Sequence, residues 1–347
     1  MKFRLPALVL LSVTVCSVGW ADDWPQWRGP QRTGVSQETG LMQKWPEGGP
    51  KVLWKAENVG NAYATVSVAN GRVFTQGNVG EEGRIHCFDE ETGDLVWSVR
   101  PPREKKAFTH GRGDGPRGTP TVDGPHVYCE GGDGSLTCLK AESGDIVWSA
   151  HLVEDFGGKR PGWGYSESPL VDGDKLIVTP GGKDGAIVAL NKLTGDVIWK
   201  STDVTDPAHY CSAVAVDIEG MHQIVQFTRK RVVGVDAKDG RLLWDYENSA
   251  NGTANVATPI VKGNHVFSSS GYGTGGGLVK VTRNEKDFQA EEVYFEKKMA
   301  NHHGGIVLVG NHMYGFARAL ICMDFLTGEI IWQDRSVGKG SLCYADG

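Results

Sequence analysis

Beyond its first 18 residues, the sequence lacks any apolar run long enough to form a membrane helix. It also lacks a basic stripe: the 347-residue chain has 36 Lys and Arg against 42 Asp and Glu, a formal net charge of −6. Because nucleic-acid binding depends on cations that neutralise phosphates, this balance argues against a nucleic-acid partner. CxxC and HxxxH spacings are absent as well, so no metal site is expected.

The N-terminal segment has the pattern of a secretory signal peptide. Two basic residues precede an apolar run at residues 5–18, and the small residues Gly19 and Ala21 follow it. This arrangement predicts cleavage after Ala21, so residues 1–21 are assigned to the signal peptide. The mature chain is therefore expected to be exported, to the periplasm or the exterior, without a transmembrane segment.

Glycine, in contrast, is abundant at 48 residues and recurs in a repeated pattern. Each copy has an apolar pair, a turn with a glycine that allows positive φ, and an apolar run that ends in tryptophan. A degenerate copy lies at residues 278–295, where Tyr294 takes roughly the tryptophan's place. The clear copies are CFDEETGDLVW, CLKAESGDIVW, ALNKLTGDVIW, GVDAKDGRLLW and CMDFLTGEIIW, ending at Trp97, Trp148, Trp199, Trp244 and Trp332.

Two further apolar segments, separated by a glycine turn, precede the copies, as in TPTVDGPHVYCEGG and TPIVKGNHVFSSSG. Four antiparallel strands per period of about 40–50 residues is the pattern of a propeller blade. The sequence therefore predicts an all-β propeller of seven or eight four-stranded blades over residues 51–347, preceded by an N-terminal arm at residues 22–50. We expect Trp54 to complete the last blade, and the seventh inner strand, near Ser341, to leave the propeller incomplete at the C-terminus.

These repeats resemble the quinoprotein, or PQQ-like, propeller family, in which a Gly–Asp/Lys–x–x–Trp element docks neighbouring blades. The opening DWPQWRGP at residues 23–30 is also similar to the start of secreted PQQ-like proteins of planctomycete-type bacteria. The resemblance implies that the five repeat tryptophans are structural and pack between adjacent blades. Stacking of a ligand on these indoles is the alternative.

The resemblance does not decide the function, because the same propeller hosts dehydrogenases and pure scaffolds. Family alcohol dehydrogenases hold PQQ over a vicinal Cys–Cys disulfide beside a calcium ion, and this chain has no Cys–Cys dipeptide. We therefore expect a binding or scaffolding module for a protein or cell-envelope partner, with no catalytic residue and no cofactor. A PQQ-dependent dehydrogenase is one alternative. An outer-membrane assembly-factor-like propeller is another, although Val15 is too bulky to precede a lipidated Cys16.

Residues just ahead of the inner strands should ring one mouth of the central channel. They are aromatic or polar and, where charged, positive, so they suit a small planar or anionic ligand. A wet, polar mouth without a ligand is the alternative. The ring consists of Tyr63, Arg117, Tyr165, Tyr210, Asn255, His302 and Lys339.

Two cysteines are candidates for a disulfide. If Asp133–Gly134 forms a two-residue turn, Cys129 faces Cys138 at a non-hydrogen-bonded position, where Cα atoms approach to about 4.5 Å. An exported compartment permits such a bridge. The alternative is that both are free core thiols, as we expect for Cys87 and Cys322, which hold the same place in other repeats as Cys138.

Overall fold

The computed structural model describes residues 22–285 and 287–347, so the predicted signal peptide lies outside the described residues. Within them, 24 strands form six four-stranded antiparallel sheets, each from four consecutive strands. No helix in this part of the chain is long and apolar enough to cross a membrane.

The strand bounds are as follows. Sheet 1 contains β1 (Ser67–Ala69), β2 (Arg72–Val79), β3 (Glu82–Asp89) and β4 (Leu95–Val99). Sheet 2 contains β5 (Thr121–Asp123), β6 (His126–Glu130), β7 (Ser135–Lys140) and β8 (Ile146–His151). Sheet 3 contains β9 (Leu170–Asp172), β10 (Lys175–Val178), β11 (Val188–Asn191) and β12 (Val197–Lys200). Sheet 4 contains β13 (Val214–Ile218), β14 (Met221–Phe227), β15 (Val232–Asp236) and β16 (Leu242–Tyr246). Sheet 5 contains β17 (Ile260–Lys262), β18 (His265–Ser270), β19 (Gly275–Asn284) and β20 (Asp287–Glu296). Sheet 6 contains β21 (Ile306–Val309), β22 (His312–Phe316), β23 (Leu320–Asp324) and β24 (Ile330–Asp334).

The first strand of each sheet lies on the inside, next to the first strand of the following sheet. Side-chain hydroxyl groups join these inner strands, which places the sheets side by side around a common axis, as in a propeller. Ser67 Oγ donates to Pro120 O (2.8 Å), Thr121 Oγ1 donates to Pro169 O (2.6 Å), and Ser212 Oγ accepts from Ser168 N (2.9 Å).

The turn between the third and fourth strands follows from the repeated sequence. Asp89 Oδ1 accepts hydrogen bonds from the backbone N–H groups of Glu91 (3.1 Å) and Thr92 (3.0 Å), and Gly93 follows at φ +75°. Asp324 makes the same two contacts in sheet 6. The aspartate side chain imitates a backbone turn, and glycine takes the positive φ without strain, so the D-x-x-T-G pattern determines this hairpin.

Three of the repeat tryptophans, and Tyr294 in the degenerate copy, pack on a glycine of the next sheet. At these glycines a Cβ atom would come within 2.9 Å of the aromatic ring, so only glycine fits. The ring's N–H or O–H group also donates to a carbonyl three residues before the glycine. The contacts join Trp97 to Gly144 and Ala141 O (3.0 Å), Trp148 to Gly195 and Lys192 O (2.9 Å), Trp199 to Gly240 and Ala237 O (3.1 Å), and Tyr294 to Gly328 and Phe325 O (2.8 Å).

Trp54 makes the same contact from outside the six sheets, whereas Trp244 and Trp332 do not. Trp54 lies on Gly93 of sheet 1 and donates to Glu90 O (2.8 Å), although it belongs to none of the six sheets. Trp244 is buried but donates to Gln223 Oε1 of its own sheet (2.7 Å). Trp332 is 42% exposed, and among the described residues its indole N–H meets no acceptor.

The described residues therefore form six complete blades, whereas the sequence predicts seven or eight. Residues 340–344 run beside the inner end of sheet 6, where Leu342 N donates to Gly304 O (3.0 Å). This segment occupies the position of a seventh inner strand, and the second to fourth strands of a seventh sheet are absent from the described part of the chain.

The N-terminal arm does more than lead into the first blade: residues 22–36, here called the axial arm, contact the inner strands or their entry residues in all six sheets. Only a segment on the axis can make such contacts. The contacts are Trp24 N to Val68 O (2.8 Å), Val122 N to Pro25 O (2.8 Å), Arg32 Nη1 to Ser168 O and Ala213 O (3.0 Å each), Trp27 Nε1 to Thr258 Oγ1 (3.1 Å), and Arg28 Nη2 to Ile306 O.

The two arginines of the axial arm are buried, with exposed fractions of 9% for Arg28 and 4% for Arg32. Burial lowers the pKa of each guanidinium to about 10, so both remain charged at neutral pH. Their charge is compensated mainly by backbone carbonyl groups, because a guanidinium has five donors in a fixed fork. The axial arm thus satisfies carbonyl groups that inner strands of separate sheets leave free.

Substituting Trp199 tests the contact between sheets. Trp199→Ala should lower the free energy of unfolding by about 3–5 kcal/mol, because it removes a buried ring and its hydrogen bond. Trp332→Ala is the matched control and should cost less than about 1 kcal/mol, since that ring is half exposed. Urea denaturation followed by circular dichroism measures both. Equal losses would contradict the proposed difference between a docked and an undocked indole.

Substituting Arg32 tests the axial arm. Arg32→Met keeps the length of the side chain but leaves the buried carbonyl groups of Ser168 and Ala213 without this donor, so we expect a loss of about 2–4 kcal/mol. Lys106→Met, at an exposed lysine, should change stability by less than about 0.5 kcal/mol. Both are measured by thermal and urea denaturation. Native stability in Arg32→Met would mean that the arm does not bind the channel as described.

Candidate functional site

One mouth of the channel is formed by the loops that lead into the inner strands. On the side of sheets 1 and 2, the guanidinium of Arg117 lies 4.6 Å from the centre of the Tyr63 ring. Arg117 Nε also donates to Trp163 O (3.0 Å), in the loop before sheet 3. This arginine therefore links three successive loops, and stacking on tyrosine holds it in place.

A row of aromatic rings continues the mouth toward sheet 4. The centres of the Trp163 and Tyr210 rings are 5.4 Å apart, and the His209 ring stacks on Tyr210 at 4.7 Å. His209 Nδ1 accepts the backbone N–H of Asn255 (2.9 Å). Burial, assisted by the charge of Arg229, lowers the pKa of His209 to about 4, so this imidazole is neutral at neutral pH.

A cavity of about 390 Å³ lies beside this row. Trp163 and Tyr210 form its aromatic wall, and Lys159, Arg160 and Arg229 line it with positive charge. All three cations are exposed, and in the described part of the chain none has a carboxylate within 4.0 Å. The cavity therefore offers flat rings and unpaired cations, a combination that suits an anionic group attached to an apolar one.

On the side of sheets 5 and 6, the mouth is lined by histidines and one lysine. Lys339 Nζ lies in hydrogen-bond contact with His302 Nδ1. Tyr272 packs edge-on against His302 with ring centres 4.8 Å apart, and the His303 ring is 4.5 Å away. Burial, followed by the charges of Lys339 and His303, lowers the pKa of His302 to about 4. The positive charge here therefore belongs to the lysine.

Two residues of the predicted ring do not face the mouth. Tyr165 is buried, and its hydroxyl donates to Pro180 O (2.9 Å). Asn255 is also buried, and its Nδ2 donates to the backbone oxygens of Thr228 (2.8 Å) and Arg229 (3.1 Å). Both hold loops together from inside. The structure places the other five at the mouth: Tyr63, Arg117, Tyr210, His302 and Lys339.

Sequence reasoning missed several residues of the mouth. Trp163 stands only two residues before Tyr165, in the stretch GWGYS. The Tyr165 ring is buried, whereas the Trp163 ring is half-buried and lines the cavity at the mouth. Arg229 and Tyr272 lie in the turns between second and third strands of sheets 4 and 5. Aligning the inner strands alone cannot find them, although a search for aromatic and basic residues in those turns could.

Beneath the mouth, two carboxyl groups are buried between sheets 2 and 3. Glu167 accepts hydrogen bonds from Thr179 N (2.7 Å) and Gln226 Nε2 (3.0 Å). Glu130 has no hydrogen-bond partner for either carboxyl oxygen among the described residues. Burial raises the pKa of Glu167 to about 7, opposed in part by the charge of Arg32, and raises that of Glu130 well above its usual range. The protonated form of Glu130 is therefore favoured at neutral pH, whereas Glu167 is close to half protonated there.

The predicted disulfide is not formed, because the register of the hairpin differs by one residue. Cys129 lies opposite Thr137, and Cys138 lies opposite Tyr128, so the two thiols are on opposite faces of the sheet and both are free. The turn has three residues instead of two, since Gly131 N donates to Ser135 O (2.8 Å). Among the described residues, no group of three or more His, Cys, Asp or Glu is arranged to hold a metal ion.

Comparisons with known proteins give two kinds of relative. A family model described as outer membrane protein assembly factor BamB matches residues 45–137 and 81–334. BamB of Nitrosomonas eutropha is 24% identical over 241 residues, which cover 68% of this chain and 53% of that protein. The dehydrogenase subunit of the alcohol dehydrogenase (quinone) of Gluconobacter oxydans is 26% identical over 192 residues, covering 52% of this chain and 24% of that subunit.

Among solved structures, BamB from Moraxella catarrhalis aligns with a TM-score of 0.56 at 13% identity, covering 79% of this chain and 76% of that one. This likeness supports the fold. The matched part corresponds to about half of the Nitrosomonas protein and about a quarter of the dehydrogenase subunit.

The buried glutamates predict a pH dependence of stability. The pKa of Glu167 is raised from 4.5 to about 7 on folding, so between these values the folded state holds a proton that the unfolded state releases. Stability should therefore fall as pH rises from about 4.5 to about 7, and change little from this group above that. Glu167→Gln should reduce the fall by on the order of 2–3 kcal/mol.

Urea denaturation at pH 5 and pH 8 measures this difference. Glu142→Gln, at an exposed glutamate in a turn of sheet 2, is the control and should leave the pH dependence unchanged. An identical fall in the wild type and in Glu167→Gln would show that Glu167 does not titrate as described.

Proposed function

The chain belongs to the PQQ-like repeat family, and from this premise we propose that it is an exported, non-catalytic binding module that meets a protein of the cell envelope. The observation that carries the proposal is the position of the axial arm. The arm occupies the axis and leaves beside it a cavity of about 580 Å³, which is lined by the arm and by inner strands of sheets 3 to 6. That volume is too small for a folded partner, so a protein meets the loops at the faces. The face with the mouth offers aromatic rings and unpaired cations.

The family resemblance raises the question of PQQ, and the residues present do not fit that group. The chain has no adjacent cysteines on which the quinone could rest. In the channel, Arg28 and Arg32 are already bound to inner-strand carbonyl groups. The buried carboxyl groups of Glu130 and Glu167 lie between two sheets, and the raised pKa of each disfavours the ionised form that calcium binds. We derive no reaction through the quinone.

The relatives described as assembly factors support a protein as the partner. The match to this chain covers 53% of the length of Nitrosomonas eutropha BamB, but 24% of the length of the Gluconobacter oxydans dehydrogenase subunit. A propeller suits this role because its loops form broad faces on a rigid scaffold, so a partner can be bound without a deep cavity.

Two measurements test the proposed function. The purified protein, incubated with PQQ and calcium chloride and passed over a desalting column, should retain no quinone absorbance and should not oxidise ethanol with an electron-accepting dye. In its native cells, a photo-crosslinking amino acid at Tyr272, which is exposed at the mouth, should give a discrete adduct with another protein.

The matched control carries the same photo-crosslinker at Leu193, which is equally exposed in a turn between third and fourth strands, on the opposite face. This position should give no such adduct. Quinone-dependent oxidation would contradict the proposal in favour of a dehydrogenase. Equal adducts from both positions would show that the mouth is not a binding face.

A further inference from the structure

The mouth carries cations that the protein itself does not neutralise. Lys159, Arg160 and Arg229 line the cavity, Arg117 lies on Tyr63, and Lys339 lies across the mouth on the side of sheet 6. In the described part of the chain none of these five has a carboxylate within 4.0 Å. By comparison, Arg103 and Arg231, nearby on the same face, each pair with two carboxylates.

This arrangement is unexpected in a chain whose formal net charge is −6. On the opposite face several cations pair with carboxylates of a neighbouring sheet. Lys192 pairs there with Asp123 of sheet 2 (2.5 Å), and His222 lies 2.8 Å from Asp172 of sheet 3. Among the described residues, unpaired cations also occur on that face, at Lys238 and Arg241, but three of those at the mouth line one cavity together with aromatic rings, so they can act jointly on an anion.

The positions of the cations indicate whether the mouth binds a small anion or an extended one. Lys159, Arg160 and Arg229 line one cavity, whereas Arg117 and Lys339 lie outside its lining, in loops of sheets 2 and 6. The axial arm closes the channel beneath them, so a ligand cannot enter deeply. A ligand that meets Arg117 or Lys339 as well as the cations of the cavity must therefore extend over the mouth.

Aromatic rings stand between the cations. Trp163 and Tyr210 form one wall of the cavity, while Tyr63 and Tyr272 are 58% and 55% exposed. Such rings bind the apolar side chains of a peptide at low entropic cost, because they have few rotatable bonds. The net negative charge of the chain disfavours a nucleic acid, whose phosphates are closely spaced along the whole backbone.

We propose that the mouth of this propeller binds an extended acidic segment of a polypeptide, with Lys159, Arg160 and Arg229 contacting its carboxylates and Trp163 and Tyr210 contacting its apolar side chains. The inference rests on the proposed function, since it names the chemistry of the partner at the same face. Burial keeps His209 and His302 neutral at neutral pH, so neither adds positive charge to the mouth.

A fluorescein-labelled peptide, (Glu-Glu-Tyr)₄, tests the proposal by fluorescence anisotropy with the purified protein. It should bind at low salt and weaken by about tenfold or more between 50 and 300 mM sodium chloride, because screening reduces contacts between exposed charges. The peptides (Gln-Gln-Tyr)₄ and (Lys-Lys-Tyr)₄ should not bind measurably. A labelled single-stranded 20-nucleotide DNA is included as the competing polyanion.

The double variant Arg160→Glu/Arg229→Glu should lose about tenfold or more in affinity for the acidic peptide. Its matched control, Lys238→Glu/Arg241→Glu, makes the same change of charge at exposed residues on the opposite face and should bind as the wild type does. Thermal denaturation checks that both variants fold.

Absence of binding by (Glu-Glu-Tyr)₄, equal losses in the two double variants, or tighter binding of the DNA would each overturn the inference. An adduct at Tyr272 without binding of the acidic peptide would leave the proposed function standing and remove only this account of the partner. Quinone-dependent oxidation would remove the proposed function itself.

Discussion

The structure depends on an aromatic ring that lies on a glycine of the neighbouring sheet and donates to a carbonyl three residues before it. Trp97, Trp148 and Trp199 make this contact, and Tyr294 makes it with a hydroxyl in place of an indole N–H. Neither partner tolerates replacement: a side chain at the glycine collides with the ring, and a smaller ring leaves a gap and an unpaired carbonyl. The axial arm supplies the second constraint, because it binds all six sheets from the inside.

Much of the fold could be predicted because it is local. The turn sequence, the glycine and the tryptophan recur at fixed spacing, so each repeat predicts the same hairpin. Even the degenerate copy keeps this register, with Tyr294 opposite Leu278. The prediction of a Cys129–Cys138 disulfide was wrong, because one extra residue in the turn shifts the register and moves every following side chain to the other face of the sheet. The axial arm could not be predicted, because Arg28 and Arg32 bind backbone carbonyl groups, which have no sequence signature. At the mouth, strand alignment found Tyr63, Arg117, Tyr210, His302 and Lys339 but not the residues in neighbouring turns.

The distribution of charge connects the fold to the proposed function. Turns on one face use carboxylates for hydrogen bonds within the turn and for contacts between sheets. The other face is built from longer loops. Its Arg117 is held by Tyr63 and a backbone oxygen, and among the described residues neither this arginine nor the three cations of the cavity has a carboxylate within 4.0 Å. With the channel closed by the axial arm, the protein presents a shallow, positively charged aromatic surface on a rigid scaffold. That surface is suited to recognition.

The central claim is that the axial arm occupies the propeller axis, and amide hydrogen exchange tests it most directly. The backbone N–H groups of Trp24, Arg32 and Gly34 all donate to backbone oxygens, whereas residues 40–57 are mostly exposed and form no strand. Peptides from residues 24–36 should therefore exchange as slowly as those from the inner strands, and peptides from residues 40–57 should exchange rapidly. Equally rapid exchange in both segments would show that the arm lies outside the channel, and the account of a closed axis with a binding face would fail.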